Sequence, residues 1–282
     1  MTVLRTIEEV IQACFTSDGD GVKLKRAFGG PNLARFDPYL MLDEFGSDEP
    51  SDYIGGFPSH PHRGFETITY MLNGNMEHRD HMNNLGKLGP GDVQWMKAGA
   101  GVVHSEMPQQ EEGLMRGFQL WLNLPAAEKM TPATYNDIKA QDIPTYPIDD
   151  VIIKAIAGNL AVNGKAVAGR VTGLTTDPGY LDVAFKNASL LTIDIPAGYS
   201  AMVYFYEGDG RIGNQDTVLK KTQLARLSDT GALAIHAGAG AKLLVITGKP
   251  INEPIVQHGP FVMNSVDEVE QALRQYNEGS FV

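Results

Sequence analysis

Apolar and polar residues alternate in short runs along most of this chain. Glu66-Thr-Ile-Thr-Tyr-Met-Leu-Asn-Gly74 is one such run and Gly91-Asp-Val-Gln-Trp-Met96 another, with others over 115–124, 180–185, 190–195, 201–206 and 242–247. A period of two sends successive side chains to opposite faces of a strand, so each run predicts a β-strand with one face against a core. Turn residues separate the runs, beginning with Asn73-Gly74. Many short strands spaced by roughly 8–12 residues predict a sandwich or a barrel. The period changes only near the end. Ser265-Val-Asp-Glu268 reads as a capping box, Val266, Val269, Leu273 and Tyr276 follow at helical spacing, and Gly279 can stop the helix. Thr6-Ile-Glu-Glu9 fits a helix start, but Val10, Ile11 and Phe15 fit a strand as well, and the pattern leaves both open.

The pattern repeats. Tyr70-Met-Leu-Asn-Gly74 matches Tyr204-Phe-Tyr-Glu-Gly208 at an offset of 134, and Ala98-Gly-Ala-Gly101 matches Ala237-Gly-Ala-Gly240 at an offset of 139. An internal duplication of this size predicts two barrels of similar topology. The seam falls between about Leu124 and Ile153, where Pro125, Pro132, Pro144 and Pro147 interrupt the apolar runs. The expected domains are residues 1–135 and residues 136–282, the second carrying the C-terminal helix.

Composition narrows the chemistry. The chain has 282 residues, a formal net charge of −11 and a single cysteine, Cys14. One cysteine excludes an internal disulfide and any cluster held by several thiolates. The negative charge argues against direct nucleic-acid binding. No apolar run approaches the roughly 18 residues of a membrane span. Met1 to Glu9 shows no apolar stretch of the kind that opens a secretory leader, so the expectation is a soluble, cytoplasmic protein.

Seven histidines remain as nitrogen ligands. His60-Pro-His62 precedes the run from Glu66, and His104-Ser-Glu106 lies just after a Gly-rich corner. Residues i and i+2 of an extended segment share a face, about 6.5 Å apart. If the two segments face each other inside a barrel, three imidazoles and one carboxylate converge, a set suited to Fe(II), Mn(II), Ni(II) or Cu(II) with open positions left over. Glu66 competes for the carboxylate place, because an unbroken strand would put 60, 62, 64 and 66 on one face. The offsets carry His60, His62 and Glu66 onto Asp194, Pro196 and Ser200, and carry His104 and Glu106 onto Leu243 and Val245. The second barrel is therefore expected to be metal-free. Other signals read as structural. Glu77-His-Arg-Asp-His81 fits an exposed polar hairpin, His236 and His258 lack partners at ligand spacing, and Gly208-Asp-Gly-Arg-Ile-Gly213 is followed by a strand pattern rather than a phosphate-binding helix.

Two longer segments carry a resemblance. Phe57-Pro-Ser-His-Pro-His-Arg-Gly-Phe-Glu-Thr-Ile-Thr-Tyr70 and Gly89-Pro-Gly-Asp-Val-Gln-Trp-Met-Lys-Ala-Gly-Ala-Gly-Val-Val-His-Ser-Glu-Met-Pro108 are similar to the signatures of the pirin family within the cupin superfamily. The similarity extends through Asp37–Phe45 and Pro254–Asn264. It implies an all-β fold of two cupin-type β-barrels, a bicupin, with a short C-terminal helix. It also implies a metal set of His60, His62, His104 and Glu106, with Glu66 outside it. General cupins have a proline two residues before the glycine ahead of the second-motif histidine, and an asparagine four residues after that histidine. This chain has Gly99 and Pro108 there and offers Glu106 instead. The implied cofactor is one divalent metal, Fe(II) first, with Mn, Ni, Cu or Zn as alternatives. The implied activity is that of a quercetin 2,3-dioxygenase, with a flavonol and O2 as substrates and Glu106 as the proton acceptor. The alternative is a non-enzymatic, metal-binding regulatory protein that acts through protein partners.

Overall fold

The computed structural model describes residues 3–29 and 35–282; Met1 and Thr2, where the reading of the N-terminus begins, lie outside the described residues. Every predicted strand forms. The chain runs through β1 (Ile7–Gln12), β2 (Cys14–Asp18), β3 (Val22–Phe28), β4 (Tyr39–Ser47), β5 (Phe57–His62), β6 (Phe65–Asn73), β7 (Met76–Asp80), β8 (Leu85–Leu88), β9 (Val93–Lys97), β10 (Val102–Pro108) and β11 (Met115–Asn123). After a single turn of helix, α1 (Ala126–Lys129), come β12 (Thr134–Ile138), β13 (Thr145–Ile148), β14 (Val151–Ala157), β15 (Asn159–Val162), β16 (Lys165–Ala168), β17 (Gly179–Phe185) and β18 (Ser189–Asp194). The remainder is β19 (Ser200–Glu207), β20 (Asp209–Ile212), β21 (Val218–Lys220), β22 (Gln223–Leu227), β23 (Leu233–Ala237), β24 (Lys242–Gly248), β25 (Val256–His258), β26 (Phe261–Met263) and α2 (Val266–Glu278). The ambiguous N-terminal segment is thus a strand, β1, and Gly208–Gly213 is a strand and turn. The helix α2 has the expected capping box at Ser265 and Glu268, and Gly279 ends it at φ 72°.

The chain divides into two compact units: Cys14–Ala140 with Ile251–Val282, and Gln141–Pro250 with Met1–Ala13. In the first, the large sheet has the order β12-β9-β6-β11-β4-β3-β2 and the small sheet β5-β10-β7-β8. In the second, the orders are β1-β22-β19-β24-β17-β14-β13 and β16-β15-β18-β23-β20-β21. With β6 matched to β19 the two large sheets coincide strand for strand, and with β5 matched to β18 the small sheet of the first unit coincides with four strands of the second, which adds β15 and β16 at one edge. Each is a two-sheet, all-β barrel. The units are not simple sequential halves, however. The seventh strand of the large sheet follows the first barrel in sequence as β12, but the second barrel draws its counterpart, β1, from the N-terminus. Arg5 fixes that segment: its buried guanidinium donates to the carbonyls of Gly231, Tyr199, Ser228, Pro196 and Asp229. The C-terminal segment completes the first barrel, where Val262 N–H donates to Arg63 O and Arg63 in turn donates to Phe281 O.

One sequence match does not survive the topology. Ala98–Gly101 links β9 to β10, but Ala237–Gly240 links β23 to β24, and β23 is the counterpart of β10. Gly-rich corners recur wherever hairpins turn, so the 139 offset joins two inequivalent corners. Register gives the true correspondence. From the matched turns at Gly74 and Gly208, Met76 opposes Pro108 as Gly210 opposes Ala237. His104 and Glu106 therefore correspond to Leu233 and Ile235. Across the neighbouring strand, where His104 pairs with His60 and Leu233 with Ile193, the two histidines of β5 correspond to Ile193 and Ile195. All four are buried aliphatic residues of the second barrel's core, packed with Leu191, Val203 and Val245.

A candidate metal centre and its cavity

The geometry starts from one antiparallel ladder. Strands β5 and β10 are neighbours in the small sheet rather than facing walls: His104 lies opposite His60, and Val102 opposite His62. Pro58, which lacks an N–H, falls where the register shifts and one extra residue of β5 is accommodated between His60 and Phe57. Direct and diagonal neighbours on one sheet face lie close enough for their rings to meet. The ring centroids are 4.7 Å apart for His60 and His62, 4.4 Å for His60 and His104, and 4.8 Å for His62 and His104. One ring nitrogen from each lies within 4.8 Å of the others.

Hydrogen bonding orients the rings. His60 Nδ1 is 2.7 Å from Pro58 O, an acceptor only, so the proton sits on Nδ1 and Nε2 keeps its lone pair. His104 Nε2 and His62 Nδ1 are buried and have no hydrogen-bond partner in the protein. Burial, reinforced by the neighbouring imidazoles, holds His62 and His104 well below the ordinary histidine pKa. Neutral rings with unused lone pairs are what a transition metal requires, and three imidazoles are a donor set that such metals accept.

Glu106 shares the inner face of β10 but stands outside the three-histidine group. Its Oε1 is 2.9 Å from Thr69 Oγ1, which is also 2.6 Å from the side-chain amide of Gln119. A hydroxyl has one proton. If Thr69 donates to Glu106, it must accept from Gln119, which turns the amide nitrogen of Gln119 toward it. Glu66 is excluded from the cluster by the local backbone. Strand β5 ends at His62, and β6 begins at Phe65 after Gly64, at φ 88°, where any Cβ would collide with the carbonyl of Val262. Alternation restarts there. Thr69 faces Glu106, so Glu66, three residues earlier, lies on the other face of β6 with Ile68.

The centre opens on a cavity of about 900 Å³. Met41, Phe57, Met76 and Trp121 give it apolar walls, while Thr69, Glu106 and Gln119 sit beside the histidines. Farther round, Arg26 donates to Asp43 at 2.8 and 2.7 Å and to Asp18 at 3.1 Å, and His258 and Gln257 lie on the rim with Arg35.

Two histidines differ from the reading of the sequence. His258, expected to be structural, lines the cavity. His78, assigned to an exposed hairpin, is buried at 1% exposure, with its Nδ1 3.1 Å from His104 Nδ1. The signal was parity: Met76, His78 and Asp80 alternate with Glu77 and Arg79, and Met76 is plainly a core residue. His81 does lie in the exposed turn, where its Nδ1 accepts from Val103 N–H.

Comparison with known proteins agrees with this architecture. The pirin sequence profile matches residues 21–122, and that of the pirin C-terminal cupin domain matches residues 180–282. The chain belongs to the pirin family. It is 49% identical over 281 residues to a Pseudomonas aeruginosa protein provisionally named a quercetin 2,3-dioxygenase, covering 99% of each chain. The crystal structure of quercetin 2,3-dioxygenase from Acinetobacter baumannii superposes with a TM-score of 0.90 at 33% identity, over 99% of both chains. A bacterial pirin of Escherichia coli, solved in complex with nickel(II), shares the bicupin fold at a TM-score of 0.63 and 19% identity, over 89% of this chain and 99% of that one. No helix among the described residues is long and apolar enough to cross a membrane.

Proposed function

We propose that this pirin-family protein is a metal-dependent dioxygenase of the quercetin 2,3-dioxygenase type, opening a flavonol ring with O2. The observation that carries the reading is the convergence of three imidazoles, two of which, His60 and His62, line a ligand-sized cavity. Sites for small organic ligands typically enclose about 300–1,000 Å³ and are mostly apolar with a few placed polar groups. His60, His62, His104 and Glu106 would hold one divalent metal, Fe(II) first, with Mn, Ni, Cu or Zn as alternatives. The metal, when bound, supplies Lewis acidity toward the flavonol hydroxyl and a meeting place for O2. Names of relatives support the activity. A reducing, cytoplasmic setting suits a chain with one exposed cysteine and no disulfide.

The residues divide the work. Met41, Phe57 and Trp121 pack the flat rings of the substrate and keep bulk water away from them. Asp18 and Asp43, steadied by Arg26, offer acceptors to ring hydroxyls at the far wall. Glu106 is placed to take the proton from the flavonol hydroxyl, and Thr69 holds the carboxylate in place through the 2.9 Å bond. Glu106→Gln preserves the shape and removes both the base and the anionic metal ligand, so kcat is expected to fall about 100-fold or more even in protein shown to be metal-loaded. The overall test is an oxygen electrode. Protein purified without oxygen and loaded in turn with Fe(II), Mn(II), Ni(II) and Cu(II) should consume O2 with quercetin in at least one form; no uptake in any form contradicts the proposal.

A further inference from the structure

His104 needs a lone pair on Nε2 to hold a metal, because its Nδ1 is already engaged. That engagement is with another imidazole: His104 Nδ1 and His78 Nδ1 are 3.1 Å apart. For neutral rings a single proton lies between the two nitrogens, and only two arrangements exist. If His78 donates, His104 carries its own proton on Nε2 and cannot ligate there. If His104 donates, its Nε2 is free and His78 carries a proton on Nε2. His60 solves the same problem with a backbone carbonyl, which can only accept. An imidazole can do either, so the tautomer of His104 depends on that of His78.

The surroundings fix the geometry of this pair. His78 sits on β7 opposite Glu106, and His104 lies opposite Asp80 in the same ladder. The His78 ring is 4.8 Å from that of His104 and 5.0 Å from that of Tyr135, so it is held on both sides. Its Nε2 is buried without a hydrogen-bond partner. Metal-bound histidines ordinarily donate their second N–H to a carboxylate, a carbonyl or water, and removing that partner costs about 10–100-fold in metal affinity.

We propose that His78 is a positioning residue that accepts a hydrogen bond from His104 Nδ1–H and so directs the His104 Nε2 lone pair to the metal. The proposal rests on His60, His62 and His104 being metal ligands. Because the acceptor is uncharged, His104 is a less basic ligand here than beside a carboxylate.

Two measurements on the full-length protein test it. Long-range 1H–15N spectra of the metal-free, 15N-histidine-labelled chain should show His104 as the Nδ1–H tautomer and His78 as the Nε2–H tautomer; the reverse assignment overturns the role given to His78. Ni(II) affinity, read by competition with a chromophoric chelator, should fall about 10–100-fold in His78→Phe. It should largely return in His78→Asn, whose amide oxygen can stand where Nδ1 stands. Unchanged affinity in His78→Phe, or equal loss in both folded variants, overturns the proposal. If only His78→Asn folds, affinity within a few-fold of the parent supports it and a loss beyond tenfold overturns it. His60→Ala is the control: binding equal to the parent would sink the metal reading itself, whereas the tautomer spectra judge His78 separately.

Discussion

Glu66 and Glu106 are both buried carboxylates within reach of the same strands, yet they do different things. Glu106 meets Thr69 at the cavity, while Glu66 lies on the opposite face of β6. Burial pushes the Glu66 carboxyl up to about 7. The native state then binds a proton that the unfolded chain has lost between about pH 4.5 and 7. Its contribution is fully present below pH 4.5 and disappears as the pH rises through 7. Urea unfolding at pH 5 and pH 8 should show the parent losing stability relative to Glu66→Gln, by on the order of 3 kcal/mol; parallel curves would contradict this. At this scale the sequence carried much of the site. His60 and His62 were legible as a pair because residues i and i+2 of a strand share a face, whereas His104 joins them through the β5–β10 ladder, which spacing alone does not give. Glu66 stayed open because alternation breaks at Gly64, and a lone glycine does not announce which way the chain turns. His78 was misread because its neighbours, Glu77, Arg79 and Asp80, carry the polarity of an exposed hairpin while it faces inward.

The elements around the site are tied together by a buried cation. Lys129, on α1, is 1% exposed, and its ammonium donates to Gly64 O at 2.7 Å, Asn123 Oδ1 at 2.6 Å and Val262 O at 3.0 Å. Three donors meet three acceptors, which joins the β5–β6 corner, the end of β11 and strand β26. Burial lowers its pKa to about 8, so between about pH 8 and 10.5 the unfolded chain holds this proton more tightly than the native protein does, and the native state gains stability from this group as the pH rises through that window. Lys129→Met leaves all three oxygens without this donor and is expected to cost about 2–4 kcal/mol in urea unfolding. Ser265→Ala, which removes the cap of α2, should cost about 1 kcal/mol by the same measurement. Strands and helix were legible from period and caps. The partners of Lys129 were not, since each lies on a different element and none is a charged residue that a sequence would match to it.

The whole molecule is one barrel design used twice with different interiors. The first barrel keeps polar residues at His60, His62, His104 and Glu106 around a cavity; the second has Ile193, Ile195, Leu233 and Ile235 at the corresponding positions and fills its centre with them. The duplication was legible through the turn at Asn73-Gly74, because a strand end followed by glycine marks the same hairpin in both copies. The second anchor was false, because Ala-Gly-Ala-Gly marks any tight corner. Nor could sequence reveal that β1 belongs to the second barrel, since edge strands pair through backbone groups that every residue carries. The proposal of one metal centre, in the first barrel, rests on this difference between interiors. Anomalous X-ray diffraction at the absorption edge of the loaded metal tests it most directly. The account predicts one peak per chain, bounded by ring nitrogens of His60, His62 and His104 with the Glu106 carboxylate beside them. A peak elsewhere, or none at these residues in a fully loaded crystal, would contradict it.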